Sequence, residues 1–162
     1  MMWLELGLLA ILFCFSFVVL FGAPYLPTLD KQMHISLNLL NLDKGQTMLE
    51  LGCGDGRVLI AAAERGWKVV GYELNPLLAL LAWARTRRYG AQVTVKWANF
   101  WAVTWPDADG IFGFILPRYM SKLHKKVIQD CRKPVKLVSF AFAIEPKKPA
   151  AQRDGVFLYS YS

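Results

Sequence analysis

The chain has 162 residues, with 19 Lys and Arg against 12 Asp and Glu and a formal net charge of +7. That length suits one domain. Hydrophobic residues make up 55% and mean hydropathy is +0.30, which excludes disorder. The excess sits in one uncharged run, Leu6 to Ala23, which excludes a multi-pass membrane protein. The three cysteines do not make a disulfide framework. Cys14 lies in the apolar run, Cys53 stands between two glycines, and Cys131 has no obvious mate, so a reducing compartment fits.

The run is apolar all round rather than striped. As a helix it would be about 27 Å long, close to a hydrocarbon core of about 30 Å. Trp3 and Tyr25 are placed to mark the interfaces. Residues 1–23 are therefore read as a transmembrane anchor. A cleaved signal peptide and a wholly buried helix are the rivals. A signal peptide wants a basic start and a small-residue cleavage site, whereas this chain begins MMWLE and places Pro24 directly after Ala23. Lys31, Lys44 and Arg57 all follow the run, which puts the rest of the chain on the cytoplasmic side. The N-terminus lacks the Arg-rich look of a transit peptide, so a bacterial or archaeal inner membrane is favoured over a mitochondrial one.

Residues 24–45 read as a linker and a helix, and residues 46–162 as the main domain. Pro24-Tyr25-Leu26-Pro27 is stiff and extended. Thr28 is placed to cap a helix carrying Leu29, Met33, Leu37 and Leu40, ended by Asp43-Lys44-Gly45. A strand is predicted from Thr47 to Leu51, then a glycine-rich turn, then a helix from Val58 to Arg65 closed by Gly66. The second strand runs from Lys68 to Tyr72. Asn75-Pro76 is a cap followed by proline at the first helical position, opening a helix from Leu77 to Tyr89 that Gly90 stops. Strands follow at Val93 to Trp97 and at Gly110 to Leu116, a helix at Ser121 to Arg132, and strands at Val135 to Ala143 and Val156 to Tyr161. Strand–helix alternation of this kind predicts an α/β Rossmann-like, doubly wound, mostly parallel sheet. It has about six strands, the last antiparallel beside the fifth, with Glu145 to Asp154 as a loop.

The informative stretch is Glu50-Leu51-Gly52-Cys53-Gly54-Asp55-Gly56-Arg57, at the end of the first predicted strand. Glycines there allow a tight turn and a close backbone approach by a ligand, and the following helix offers free N–H groups. Glu73, at the tip of the second predicted strand, is placed to accept both hydroxyls of a ribose. A dinucleotide fingerprint reads G-x-G-x-x-G, whereas this chain has G-x-G-x-G between Glu50 and Arg57. The flanking carboxylates Glu50 and Asp55 suit a cation better than a pyrophosphate. S-adenosylmethionine, with a sulfonium, an ammonium and a ribose, fits that set. A nicotinamide or other nucleotide, and a bare structural turn, are the alternatives.

At these residues the chain resembles the class I S-adenosylmethionine-dependent methyltransferases. The match runs in order through ELGCGDGR at 50–57, VVGYELNP at 69–76, Asn99-Phe100-Trp101, and a strand ending at Pro117. More narrowly it is similar to the small membrane-anchored protein-lysine methyltransferases of mitochondria, which modify the ATP synthase c subunit and the adenine nucleotide translocase, and to their prokaryotic relatives. The apolar run followed by Pro24-Tyr25-Leu26-Pro27-Thr28 adds to that likeness. The resemblance implies that Glu50, Gly52, Gly54, Asp55 and Gly56 hold the methionine end of the cofactor and that Glu73 holds the ribose. Asn99 stands where such enzymes usually carry Asp for the adenine amino group, and Phe100 would pack on the adenine face.

On the acceptor side, aromatic faces can hold a lysine ammonium, and the candidates are Tyr25, Trp101, Tyr119, Phe140 and Phe142. Tyr119, just past Pro117, is the first choice for positioning the acceptor. His34 and His124 lie on predicted helices and are read as surface or core residues, no general base stands out, and no metal-ligand spacing is present. The expected substrate is a membrane-embedded protein rather than a nucleic acid, which an anchor would not serve. The basic residues from Arg85 to Lys148 are read as a solvated or lipid-facing surface. A methyltransferase for a lipid headgroup or quinone-like metabolite, and a non-catalytic cofactor-binding scaffold, are the other functional readings.

Overall fold

A computed structural model describes residue 5 and residues 26–162. The apolar run on which the anchor reading rests lies outside the described residues, as do Trp3 and Tyr25. Among the described residues no helix is long and apolar enough to cross a membrane. The elements in chain order are α1 (Asp30–Leu40), β1 (Thr47–Leu51), α2 (Arg57–Glu64), β2 (Lys68–Glu73), α3 (Pro76–Thr86), β3 (Val93–Trp97), β4 (Gly110–Gly113), α4 (Met120–Asp130), β5 (Val135–Phe140), β6 (Ala151–Arg153) and β7 (Val156–Tyr161).

The strands form one sheet in the order β3-β2-β1-β4-β5-β7-β6. The first five pair in parallel, while β7 runs antiparallel to both β5 and β6. Successive side chains of a strand point to opposite faces, so each central strand supplies both cores. Met48, Phe112 and Val138 pack with Leu37 and Leu40 of α1, Val58 and Leu59 of α2, and Ala82 of α3. Leu49, Ile111 and Leu137 pack on the other face with Leu123 and Val127 of α4. This double burial is why the parallel strands read as nearly continuous apolar runs. Strand order reverses between β1 and β4, and a crevice opens there at the carboxyl ends of the strands, the usual ligand position in open α/β sheets.

Several boundaries differ from the sequence reading. The sheet has seven strands, not six, because β6 lies inside the segment read as a loop. Asp154 (φ 48°) and Gly155 (φ 77°) form a two-residue hairpin between β6 and β7, and an Asp-Gly pair tolerates the left-handed backbone such a turn requires. Thr28 does not cap the first helix. Leu29 is its N-cap residue, without a side-chain bond, and Thr28 is buried. That helix ends at Leu40, where Asn41 in the left-handed region returns its N–H to Leu37, before the expected Asp43-Lys44-Gly45. The α3 helix stops at Thr86 and continues as a tighter turn over Arg87–Gln92. Strand β4 leaves the ladder after Gly113, so Phe114 to Leu116 run free toward Pro117. The expected cap at Asn75 holds: its side chain accepts from the N–H groups of Leu77 and Leu78, with Pro76 at the first helical position.

Candidate active site

The crevice holds a cavity of about 280 Å³, near the lower end of the range for small-molecule sites, about 300–1,000 Å³. Its floor is the turn between β1 and α2. The turn is held from below by the Tyr72 carbonyl, which accepts the N–H groups of Gly52 and Cys53 at 2.9 Å each. Gly52 (φ 85°) has open space where a Cβ would stand, and Gly56 (φ 80°) would bring a Cβ to 3.1 Å from the Ala82 Cβ. The first glycine leaves room above the turn, and the second lets α3 close against it.

Three carboxylates converge on this turn, in three different environments. Glu50, on β1, is buried, and one of its side-chain oxygens meets no hydrogen-bond donor. Burial pushes its carboxyl well above the usual range, and the charges of Glu73 and Asp55 push it the same way. Glu73, at the end of β2, accepts the Gly54 N–H on one oxygen and the Asn75 N–H on the other, both at 2.8 Å. Asp55 is gripped by two guanidinium groups: Arg57 bonds its side chain at 3.1 Å, and Arg85 pairs with it from α3. Burial raises the Asp55 carboxyl, but the Arg57 and Arg85 bonds and charges outweigh it and hold the group below its ordinary value. Cys53 is buried beside them, and its thiol is pushed up by burial and by the neighbouring carboxylates.

The far wall is aromatic. Phe100 lies tilted against Trp101 at 4.7 Å between ring centres, and Trp101 against Tyr119 at 5.8 Å. The Asn99 side-chain oxygen accepts the Trp101 N–H at 3.0 Å, which holds this Asn-Phe-Trp turn in shape. The Phe100 carbonyl accepts the Trp105 indole N–H at 2.9 Å.

The structure therefore places Glu50, Gly52, Gly54, Asp55, Glu73, Asn99, Phe100, Trp101 and Tyr119 on one cavity. Gly56 stands behind it as the N-cap residue of α2. Phe140 is one layer back, its ring tilted against Phe114 at 4.6 Å between centres, and Phe114 does line the cavity. Phe142 packs against the core instead. His34 is exposed, and His124 is 3.0 Å from the Tyr161 hydroxyl, away from the cavity.

Sequence reasoning missed four contributions. The linker residues Leu26, Pro27 and Thr28 form part of the wall. Phe112 and Phe114 line it too, and their two-residue spacing on an apolar strand was a readable sign that they share a face. Lys122 stands three residues after Tyr119, on the same side of α4, with its ammonium 4.6 Å from the Trp101 ring centre. The Arg85 contact joins positions thirty residues apart, and no local pattern announces it.

The reversed strand order, the glycine turn and the acid at the end of β2 define a class I S-adenosylmethionine-dependent methyltransferase fold. The orphaned Glu50 oxygen and the open space above Gly52 fit S-adenosylmethionine, the cofactor of that class. The profile of the ANTKMT methyltransferase domain matches residues 50–151, and the chain belongs to that family. It is 31% identical over 121 residues to the human lysine N-methyltransferase of the ATP synthase c subunit, covering 74% of this chain and 52% of that one. It is 31% identical over 131 residues to the mouse adenine nucleotide translocase lysine N-methyltransferase, covering 79% and 57%. It is 29% identical over 148 residues to a protein-lysine N-methyltransferase of Saccharolobus islandicus, covering 84% and 92%. The chain thus spans about half the length of the animal relatives. Among solved structures, an RNA methyltransferase from Salinibacter ruber with bound S-adenosyl-L-homocysteine superposes with a TM-score of 0.75 at 24% identity, over 84% of this chain and 92% of that one. At that identity the likeness is one of fold.

Proposed function

We propose that this chain N-methylates lysine on a membrane-embedded protein, with residues 1–23 holding the domain against the bilayer. The observation that carries the reading is the composition of one cavity: a buried, unpartnered carboxylate oxygen on Glu50 at one end and the Trp101–Tyr119 aromatic wall at the other. The lysine acceptor is supported by the names of the three relatives above. Membrane anchoring is supported by the apolar run and by the linker behind it. Only Pro24 and Tyr25 separate Ala23 from Leu26, at most about 11 Å of chain, and Leu26 already lines the cavity.

Bound S-adenosylmethionine supplies an electrophilic methyl group on a sulfonium. The residues around it would bind and orient. Glu50 would accept the ammonium of the methionine end, and its ionisation would be restored by that positive charge. Glu73 has both oxygens oriented by backbone N–H groups and retains acceptor capacity on each for ribose hydroxyls. Phe100 would face the adenine, beside Asn99. Trp101 and Tyr119 would hold the lysine side chain, so that the amine meets the methyl carbon in line with the bond that breaks. Asp55, already neutralised by Arg57 and Arg85, shapes the turn rather than attracting the cofactor's cation.

Purified chain, methyl-labelled S-adenosylmethionine and membranes from cells lacking the protein test the reading. Label should appear in the protein fraction after solvent extraction. Label confined to the solvent extract would replace this reading with a lipid or quinone methyltransferase.

A further inference from the structure

Between Leu74 and Pro106 the chain has no carboxylate, while it carries Arg85, Arg87, Arg88 and Lys96. Helix α3 lies within this stretch. It turns Leu78, Ala79, Ala82 and Thr86 inward. Its outward side is also apolar: Leu77, Leu80, Leu81 and Ala84 follow the i, i+3, i+4, i+7 spacing of one helical stripe, and all are exposed. Leu80 is 60% exposed and Trp83 54%. Strand β3 is the edge strand beside this helix, and it ends in Trp97, 69% exposed. The Trp97 indole N–H is tied to the Leu74 carbonyl at 3.0 Å, which leaves the rest of the ring outward. A contiguous apolar face of this kind marks a binding surface.

We infer that the α3–β3 face docks onto an anionic lipid surface. Three observations select lipid. The two tryptophans present amphipathic rings of the sort that settle at a membrane interface. The cations lie at the rim and not in the centre: Arg87 is exposed and Arg88 stacks on Tyr89. The nearby carboxylates are already paired, Glu64 with Arg88 and Asp55 with Arg85 and Arg57, so none is left to repel a phosphate headgroup.

The face also has a direction. It begins at Leu77, beside Leu74 and Leu78, which line the cavity, and Leu26 stands at the same mouth, 64% exposed. Docking would turn the cavity mouth toward the bilayer, where the lysine of an embedded protein emerges. This extends the membrane reading above, but it requires neither that residues 1–23 span nor that the acceptor be lysine.

The test uses the full chain with vesicles of phosphatidylcholine and phosphatidylglycerol carrying brominated acyl chains. Sedimentation reports membrane association as such. Tryptophan quenching, compared between the natural chain and the Trp83→Phe/Trp97→Phe double variant, reports this face. The double variant should lose roughly half or more of the quenching. Leu80→Asp with Leu81→Asp should reduce it about twofold while circular dichroism and cofactor binding stay unchanged. Quenching equal in the natural chain and the double variant would overturn the inference while leaving the anchor standing. A detergent-solubilised dimer with Trp83 and Trp97 shielded from both acrylamide and bromolipid would overturn it in favour of a second copy. Failure to sediment would overturn both readings.

Discussion

Glu73 and Gly54 are joined by a 2.8 Å bond from the glycine N–H to a carboxylate oxygen. That one contact links the end of β2 to the turn after β1. Glu73 therefore builds the turn as well as lining the cavity. Glu73→Ala removes two charge-assisted bonds to backbone and should lower stability by about 2–4 kcal/mol, read by chemical denaturation. S-adenosylmethionine affinity should fall at least about tenfold, read by calorimetry, because an acceptor and the shape of the turn are lost together.

Glu50 is expected to trade stability for binding. Its carboxyl is raised in the folded chain by burial and by Glu73 and Asp55, whereas unfolded it titrates at about 4.3. Between those values the native state binds more protons, so stability falls as pH rises through the interval. The cofactor-free chain should therefore melt lower as pH is raised from mildly acidic to neutral, and Glu50→Gln should flatten that slope and raise neutral-pH stability. The same variant should lose cofactor affinity by about tenfold or more. Asp55 acts in the opposite sense and in another window. Its carboxyl is held low, so its contribution is present above about pH 4 and is lost below. A Glu50→Gln chain no more stable at neutral pH than the natural one would show that the carboxylate is solvated after all.

Two glycines should separate binding from folding. At Gly52 an added Cβ meets nothing within 4 Å, so Gly52→Ala should cost only about 1 kcal/mol from its positive φ while hindering cofactor entry. At Gly56 a Cβ would press on Ala82 at 3.1 Å, so Gly56→Ala should destabilise by about 1–3 kcal/mol. Melting temperature and cofactor Kd, measured on both variants, should move in opposite proportion.

Trp101 and Tyr119 should act on the acceptor alone. Tyr119→Ala and Trp101→Ala should lower kcat/KM for the protein substrate by about tenfold, the scale of a desolvated cation–π contact. Tyr119→Phe, which keeps the ring, should stay close to the natural enzyme. Cofactor Kd should be unaltered in the Tyr119 variants. Equal loss in Tyr119→Ala and Tyr119→Phe would assign the role to the hydroxyl instead.

What was legible in the sequence was what local rules encode. Glycine spacing, the Asn75-Pro76 cap and the paired apolar strands announced the fold and the glycine-turn end of the cavity. The missed strand β6 is only three residues long, too short for its alternation to register, although the Asp154-Gly155 turn advertised a hairpin. Thr28 looked like a cap because threonine caps helices, but burial against the cavity claimed it. The Arg85 pairing of Asp55 was not legible, because the two lie thirty residues apart. Trp101, Phe114 and Lys122 reach one wall from three separate segments, so that wall is a product of topology and no single motif describes it.

The central claim is methyl transfer to lysine through this cavity. Membranes from cells lacking the protein should be incubated with purified chain and methyl-labelled S-adenosylmethionine, beside a Glu50→Gln control, and the labelled band hydrolysed in acid. Methyllysine in the hydrolysate, absent from the control, is the expected result. A labelled band whose hydrolysate contains no methyllysine, or label that persists in the control, would contradict it.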